Sequence, residues 1–127
     1  MIVAGIGCRL GTSAEEVERV VLKALGAFNV LRTSLDALAT ETAKAAEPGI
    51  AEAARRLSVR LIACEISDLE QVADAVLTPS SLVLEIKGVP SIAEASAMVV
   101  AGRNARLLGA RVATAGATCA IAIGEGR

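Results

Sequence analysis

Residues 1–17, MIVAGIGCRLGTSAEEV, pass from an apolar run through Gly5, Gly7 and Gly11 into a charged, patterned segment. The stretch reads as strand, glycine turn, helix, and its reading decides the fold. Ser13-x-x-Glu16 fits a capping box at a helix start. Behind it Val17, Val20, Val21, Ala24, Leu25 and Phe28 recur at helical spacing along one face, with Glu15, Glu16, Arg19 and Lys23 on the other. A dinucleotide loop needs G-x-G-x-x-G, whereas these glycines are spaced G-x-G-x-x-x-G. No acid follows near Phe28-Asn29-Val30-Leu31-Arg32 to meet a ribose, and no Gly-Lys-Ser/Thr follows to make a P-loop. The turn is therefore either a tight connection to a capped helix or an anion cradle of another kind.

The rest of the chain repeats the alternation. Leu35–Ala39 reads as a second strand, Thr40–Glu47 as a loop, and Pro48 as the first residue of a helix with Ile50, Ala53, Ala54 and Leu57 inward. Arg60–Cys64 is a third strand. Ser67-x-x-Glu70 suggests a second capping box, opening a helix with Leu69, Val72, Ala73, Val76 and Leu77 inward. Leu82–Ile86 reads as a short helix and Gly88-Val89-Pro90 as a turn. Ser91-x-x-Glu94 is a third capping box, ahead of a face made by Ala95, Met98, Val99 and Gly102. Leu107–Ala115 and Thr118–Ile123, around Gly116, read as a β-hairpin. The expectation is one α/β domain over residues 1–127: a three-layer α/β/α arrangement on a mixed sheet of about five strands, parallel at first and closed by the antiparallel hairpin.

Composition narrows the function. Of 127 residues, 54% are hydrophobic, but much of that is alanine, and Phe28 is the sole aromatic. Without stacking platforms, and with a net charge of −1, the chain is not expected to bind nucleic acid. No run of 18 apolar residues suggests a membrane span. The start carries no basic segment or cleavage site, and three widely spaced cysteines suit a reducing cytoplasm. Histidine is absent, which removes its general-base and metal chemistry. Cys8, Cys64 and Cys119 could make a three-thiolate site but read more simply as small buried apolar residues, so neither metal nor cofactor is expected.

Ligands of open parallel sheets sit outside the carboxyl ends of the strands. That rim should collect Gly7, Cys8, Arg9, Gly11 and Thr12 after the first strand, Lys44 and Glu47 in the Thr40–Gly49 segment after the second, and Glu65–Asp68 after the third, with Gly88, Ser91 and Glu94 of a further turn joining them. Capping alone accounts for Thr12, Ser91 and Glu94. Arg9 is either a solvated loop charge or an anion contact beside a helix start. Glu47 is the informative residue. It precedes Pro48 at the N-cap, where Ser, Thr, Asp or Asn is preferred, and Lys44 lies three residues earlier. An acid and a base on the ligand rim are the candidates for catalytic work, against the plainer reading of a surface ion pair.

Three segments, VAGIGCRLGTSAEEV, AKAAEPGIAEAARRL and GVPSIAEASAM, occur in this order. Together they resemble the CobE family, itself similar to the C-terminal domain of CbiG. The resemblance implies a three-layer α/β/α fold and a role in assembling the corrin ring of cobalamin. The fused CbiG proteins open a precorrin lactone and release a two-carbon fragment. The family's Gly-Cys-Arg-x-Gly-Thr maps onto Gly7 to Thr12, its Lys-x-x-Glu-Pro-Gly onto Lys44 to Gly49, and its Gly-Val-Pro-Ser-x-Ala-Glu onto Gly88 to Glu94. Two departures lie outside these motifs: Glu41-Thr42-Ala43, where an Asp-Leu pair is common, and Gly109-Ala110-Arg111, where Pro-Lys is common. The first turn then becomes a cradle for a carboxylate arm of a precorrin. The chain either binds and acts on that intermediate or carries it, without chemistry, between cobalamin-pathway enzymes.

Overall fold

The structure, a computed structural model, describes residues 1–75 and 91–126. The expected helix Leu82–Ile86, the turn Gly88–Pro90, and Val76 and Leu77 lie outside the described residues. β1 (Ile2–Cys8) is followed by α1 (Ala14–Ala27), β2 (Ala37–Glu41), the one-turn α2 (Thr42–Ala45), α3 (Pro48–Leu57), β3 (Arg60–Cys64) and α4 (Ile66–Glu70). After the undescribed segment come α5 (Ile92–Ala101), two short edge strands β4 (Arg106–Leu107) and β5 (Val112–Ala113), and β6 (Ala117–Ile123).

The six strands form one mixed sheet in the order β3-β2-β1-β6-β4, with β5 also paired to β6. β1 runs parallel to β2, and β2 to β3, while β6 lies antiparallel to β1 along its whole length, from Ile2 opposite Ile123 to Cys8 opposite Ala117. The crossovers through α1 and α3 move the chain the same way across the sheet, so both helices share one face, as right-handed connections require. α4 and α5 cover the other.

Alternation along β1 divides the core. Ala4 and Ile6 pack with Val17, Val20 and Val21 of α1 and with Ile50 of α3. Val3, with Ala37 and Ala39 of β2, packs against Ala95, Ala97 and Met98 of α5. That second layer is unusually close. A Cβ on Gly5 would stand 1.9 Å from the Ala93 carbonyl oxygen, so α5 can rest on the sheet only where β1 carries no side chain. Burial of α5 is correspondingly all-round: every residue but Val99 is buried, Ser96 included, whose Oγ donates within the helix to the Ile92 carbonyl at 2.7 Å. A single face of Ala95, Met98, Val99 and Gly102 therefore understates this helix, whose many small residues fit a central position between layers.

Other boundaries shift for physical reasons. β2 starts two residues later than the strand pattern suggests, because Arg32–Ser34 form a 3₁₀ turn and the Asp36 carboxylate accepts the Ile2 amide at 2.7 Å. α4 begins at Ile66 with Glu65 at its N-cap, not at Ser67. The Asp68 and Leu69 amides bond the Glu65 carbonyl, and the helix ends after five residues. The edge strand is interrupted. Leu107 pairs with Ala122 and Val112 with Cys119, so residues 108–111 oppose only 120–121 on β6. This two-residue bulge leaves room for the Phe28 ring against Gly109, where a Cβ would come within 2.5 Å of it. At the far end of β1, the Met1 amine donates to the Gly124 carbonyl at 2.7 Å and the Gly124 amide returns a bond to the Met1 carbonyl at 3.0 Å.

Candidate functional site

The carboxyl ends of β1 and β2, the start of α5 and the β5–β6 turn surround an open cleft of about 360 Å³. Its floor is small and apolar, with Ile92 and Ala93 of α5, Ala115, and Ala117 of β6. Charge enters from four directions: Arg9 after β1, Glu41 at the end of β2, Lys44 on α2 and Arg111 from the edge bulge. Arg9, Lys44 and Arg111 form no ion pair among the described residues, whereas Arg19, Arg55 and Arg56 on the α1–α3 side are all paired with glutamates.

The turn after β1 is clamped. The Arg9 amide donates to the Gly116 carbonyl at 3.0 Å, and the Thr12 amide returns to the Arg9 carbonyl at 3.2 Å. The Thr12 hydroxyl donates to the Arg9 carbonyl at 2.7 Å. Gly11, at φ +78°, sits in the left-handed region that glycine enters without strain, and its amide donates to Glu47 Oε1 at 2.7 Å. Gly49 completes the clasp, since a Cβ there would come within 2.1 Å of the Thr12 carbonyl oxygen. The turn thus differs from a cradle of open amides. Those of Arg9, Gly11 and Thr12 are bonded within the chain, and the charge this turn offers the cleft is the Arg9 guanidinium.

Glu47 is the N-cap of α3, ahead of Pro48, and makes no side-chain capping bond. Its carboxylate reaches across to the first turn instead. Lys44 does not pair with it; their link is the Glu47 amide donating to the Lys44 carbonyl at 3.0 Å. Cys8 lines the cleft half-buried. Burial pushes its thiol above the ordinary range, with Lys44 and a Thr12 hydrogen bond opposing and Glu47 adding to the rise. Ser91 caps α5, its Oγ accepting from the Glu94 amide at 3.3 Å. The same Oγ accepts from Arg111 Nη1, also at 3.3 Å. Glu94 is fully buried in α5.

Of the expected rim residues, Gly7, Cys8, Arg9 and Lys44 line the cleft. Gly11, Thr12, Glu47 and Ser91 stand behind it and hold its parts in place, and Gly88 lies outside the described residues. Glu41 and Arg111 were not expected. Glu41 is the first charge after an apolar strand, at the carboxyl end where ligands gather, and that signal was readable. Arg111 reaches the cleft through the edge bulge, which no pattern announces. Among the described residues no three or more Cys, Asp or Glu side chains are placed to hold a metal ion, and no helix is long and apolar enough to cross a membrane.

The family model for the cobalamin synthesis G C-terminus matches residues 2–122. The chain belongs to this CobE/CbiG C-terminal family. The CobE protein of a Sinorhizobium species is 36% identical over 121 residues, covering 95% of this chain and 79% of that protein. A cobalt-precorrin-5A hydrolase of Priestia megaterium is 29% identical over 104 residues, which are 82% of this chain but 27% of the hydrolase. The crystal structure of CobE, a protein from the cobalamin (vitamin B12) biosynthetic pathway, superposes with a TM-score of 0.93 at 34% identity, over 100% of this chain and 92% of that one. The fold and the pathway of this family member are thereby fixed: it is a cobalamin-biosynthesis protein of the CobE/CbiG C-terminal type.

Proposed function

We propose that the chain binds a polycarboxylate precorrin intermediate in the cleft at the ends of β1 and β2. The observation that carries this reading is the set of three cations, Arg9, Lys44 and Arg111, around an apolar floor without ion-pair partners among the described residues. Precorrins present a reduced, largely apolar macrocycle edged with acetate and propionate arms. Ile92, Ala93 and Ala117 offer such a ring a smooth contact in a chain without tryptophan or tyrosine. Guanidinium and ammonium groups supply charge-assisted bonds to the arms.

Lactone opening with release of a two-carbon fragment would need a base at the ligand. Glu47 is engaged with the Gly11 amide and stands behind the cleft, which favours the reading of a carrier that holds the intermediate for other pathway enzymes; Glu41, which lines the cleft, is the carboxylate that a catalytic role would use. In the carrier reading Lys44 contacts the ligand and Glu47 positions the turn. The test is titration of the purified protein with uroporphyrin and with isolated precorrin intermediates, following the absorbance of the tetrapyrrole. Saturable binding that weakens as salt rises is expected. Absence of a spectral change with every tetrapyrrole would remove the proposal. The mass of a precorrin recovered after incubation separates the two roles: an unchanged mass supports carriage, and a changed mass supports catalysis.

A further inference from the structure

Among the three cleft cations, Arg111 differs in how it is held. Arg9 is exposed on its turn, and Lys44 ends a flexible chain as a point charge. Arg111 is half-buried, sits on the two-residue bulge between β4 and β5, and spends one N–H of its fork on Ser91 Oγ. Ser91 is itself fully buried at the N-cap of α5. A guanidinium carries five N–H donors in a rigid plane. With Nη1 anchored, the rest of the fork is oriented before any ligand arrives, so little side-chain freedom remains to be lost on binding. Arg111 also lacks an acidic partner among the described residues, and a half-buried cation in that state favours an anion over a neutral group.

From this we infer that Arg111 is the specificity-determining residue of the cleft. It selects a ligand arm that ends in a free carboxylate over the same arm ending in a carboxamide, with Ser91 as its positioning residue. The inference rests on the tetrapyrrole-binding reading above and deepens it. A carboxylate can accept two parallel N–H bonds from the fork, whereas a carboxamide offers one oxygen and turns an N–H₂ donor towards the other guanidinium nitrogen.

The experiment compares uroporphyrin with its fully amidated counterpart, both titrated into the full chain and followed by the porphyrin absorbance. Wild type is expected to prefer the acid by well over tenfold, since one charge-assisted bond provides about tenfold and three cleft cations meet the carboxylate arms. Arg111→Gln is expected to lower acid affinity by about tenfold and to shrink the acid-over-amide ratio by the same factor, leaving the part that Arg9 and Lys44 supply. Arg111→Lys, which keeps the charge and loses the fork, should fall between. Ser91→Gly, the mildest replacement for a serine N-cap, should reduce the same ratio while circular dichroism reports a folded chain. If Arg111→Gln keeps the wild-type ratio while Arg9→Ala weakens binding, the role of Arg111 is overturned and the cleft reading stands. If wild type binds neither porphyrin nor any isolated precorrin, both are overturned.

Discussion

Glu47 Oε1 accepts the Gly11 amide at 2.7 Å, tying the start of α3 to the turn after β1 across 36 residues of chain. A glutamate at an N-cap that makes no capping bond is thereby explained: its reach serves a neighbour, not its own helix. Glu47→Asp is one methylene shorter. It is expected to lose the Gly11 bond and cost about 1 kcal/mol, the ordinary value for a hydrogen bond that is partly open to solvent. Glu47→Gln keeps an acceptor of the same length and should cost less. Both should weaken tetrapyrrole binding, since the turn carries Arg9. Melting temperatures and absorbance titrations check this; an aspartate variant as stable as wild type or more so would return Glu47 to ordinary capping.

Arg9→Ala removes the charge that the clamped turn presents. The bonds that hold the turn come from backbone groups, Thr12 and Glu47, so folding should be nearly unchanged. Binding should weaken by about 1.5–3 kcal/mol, the range for a hydrogen bond to a charged group. Equal affinity of variant and wild type in a spectral titration would remove Arg9 from the site.

Gly5 and Gly26 make opposite predictions for the same change. Gly5→Ala drives a methyl into the Ala93 carbonyl and forces α5 off the sheet, so a loss of about 3 kcal/mol or more is expected. Gly26 lies in α1 with open space around its Cβ position, and Gly26→Ala should stabilise by about 0.5–1 kcal/mol through helix propensity. Chemical denaturation measures both, and a tolerated Gly5→Ala would contradict the close seating of α5.

Alkaline pH should destabilise the protein. Burial raises the Cys119 thiol far above its ordinary range and the Cys8 thiol less far. The folded chain therefore keeps these protons when the unfolded chain has released them. The stability they contribute is fully present below about pH 8.5, where an unfolded cysteine titrates, and is lost as pH rises towards the folded values. Cys119→Ala should flatten the fall of melting temperature between neutral and alkaline pH. A slope identical to wild type would count against the buried thiol. In the same range, a thiol reagent should reach Cys8 slowly and Cys119 only on unfolding.

Both core layers share β1, whose alternate side chains enter one or the other. Neither layer can melt while the sheet stands, so heat or urea should produce one cooperative transition by circular dichroism. Two separated transitions would show that the layers unfold apart.

α1 and β3 were legible in the sequence because period and caps agree: Ser13 Oγ does accept the Glu16 amide at 3.1 Å, and Arg60–Cys64 is bounded on both sides by polar turns. β2 was displaced because Leu35 is buried without being in the ladder. α5 misled because its small residues satisfy any face one chooses. The site was half legible. Position after a strand points to Cys8, Arg9 and Lys44, but the partner of Glu47 depends on a contact between separate loops. Arg111 depends on a bulge set by the register of β6.

The paired bonds between Met1 and Gly124 bring the first and last strands' outer ends together, while the cleft opens at the other end of β1, about 20 Å away at the usual rise per strand residue. A peptide linker from Gly126 back to Met1 need bridge only a few residues. A circular permutant opened at the exposed Leu31–Ser34 segment would keep every strand pairing and both core layers intact. Reporter proteins or surface tethers attached at either terminus would likewise leave the mouth of the cleft unobstructed, so the chain can be immobilised by its ends for ligand measurements.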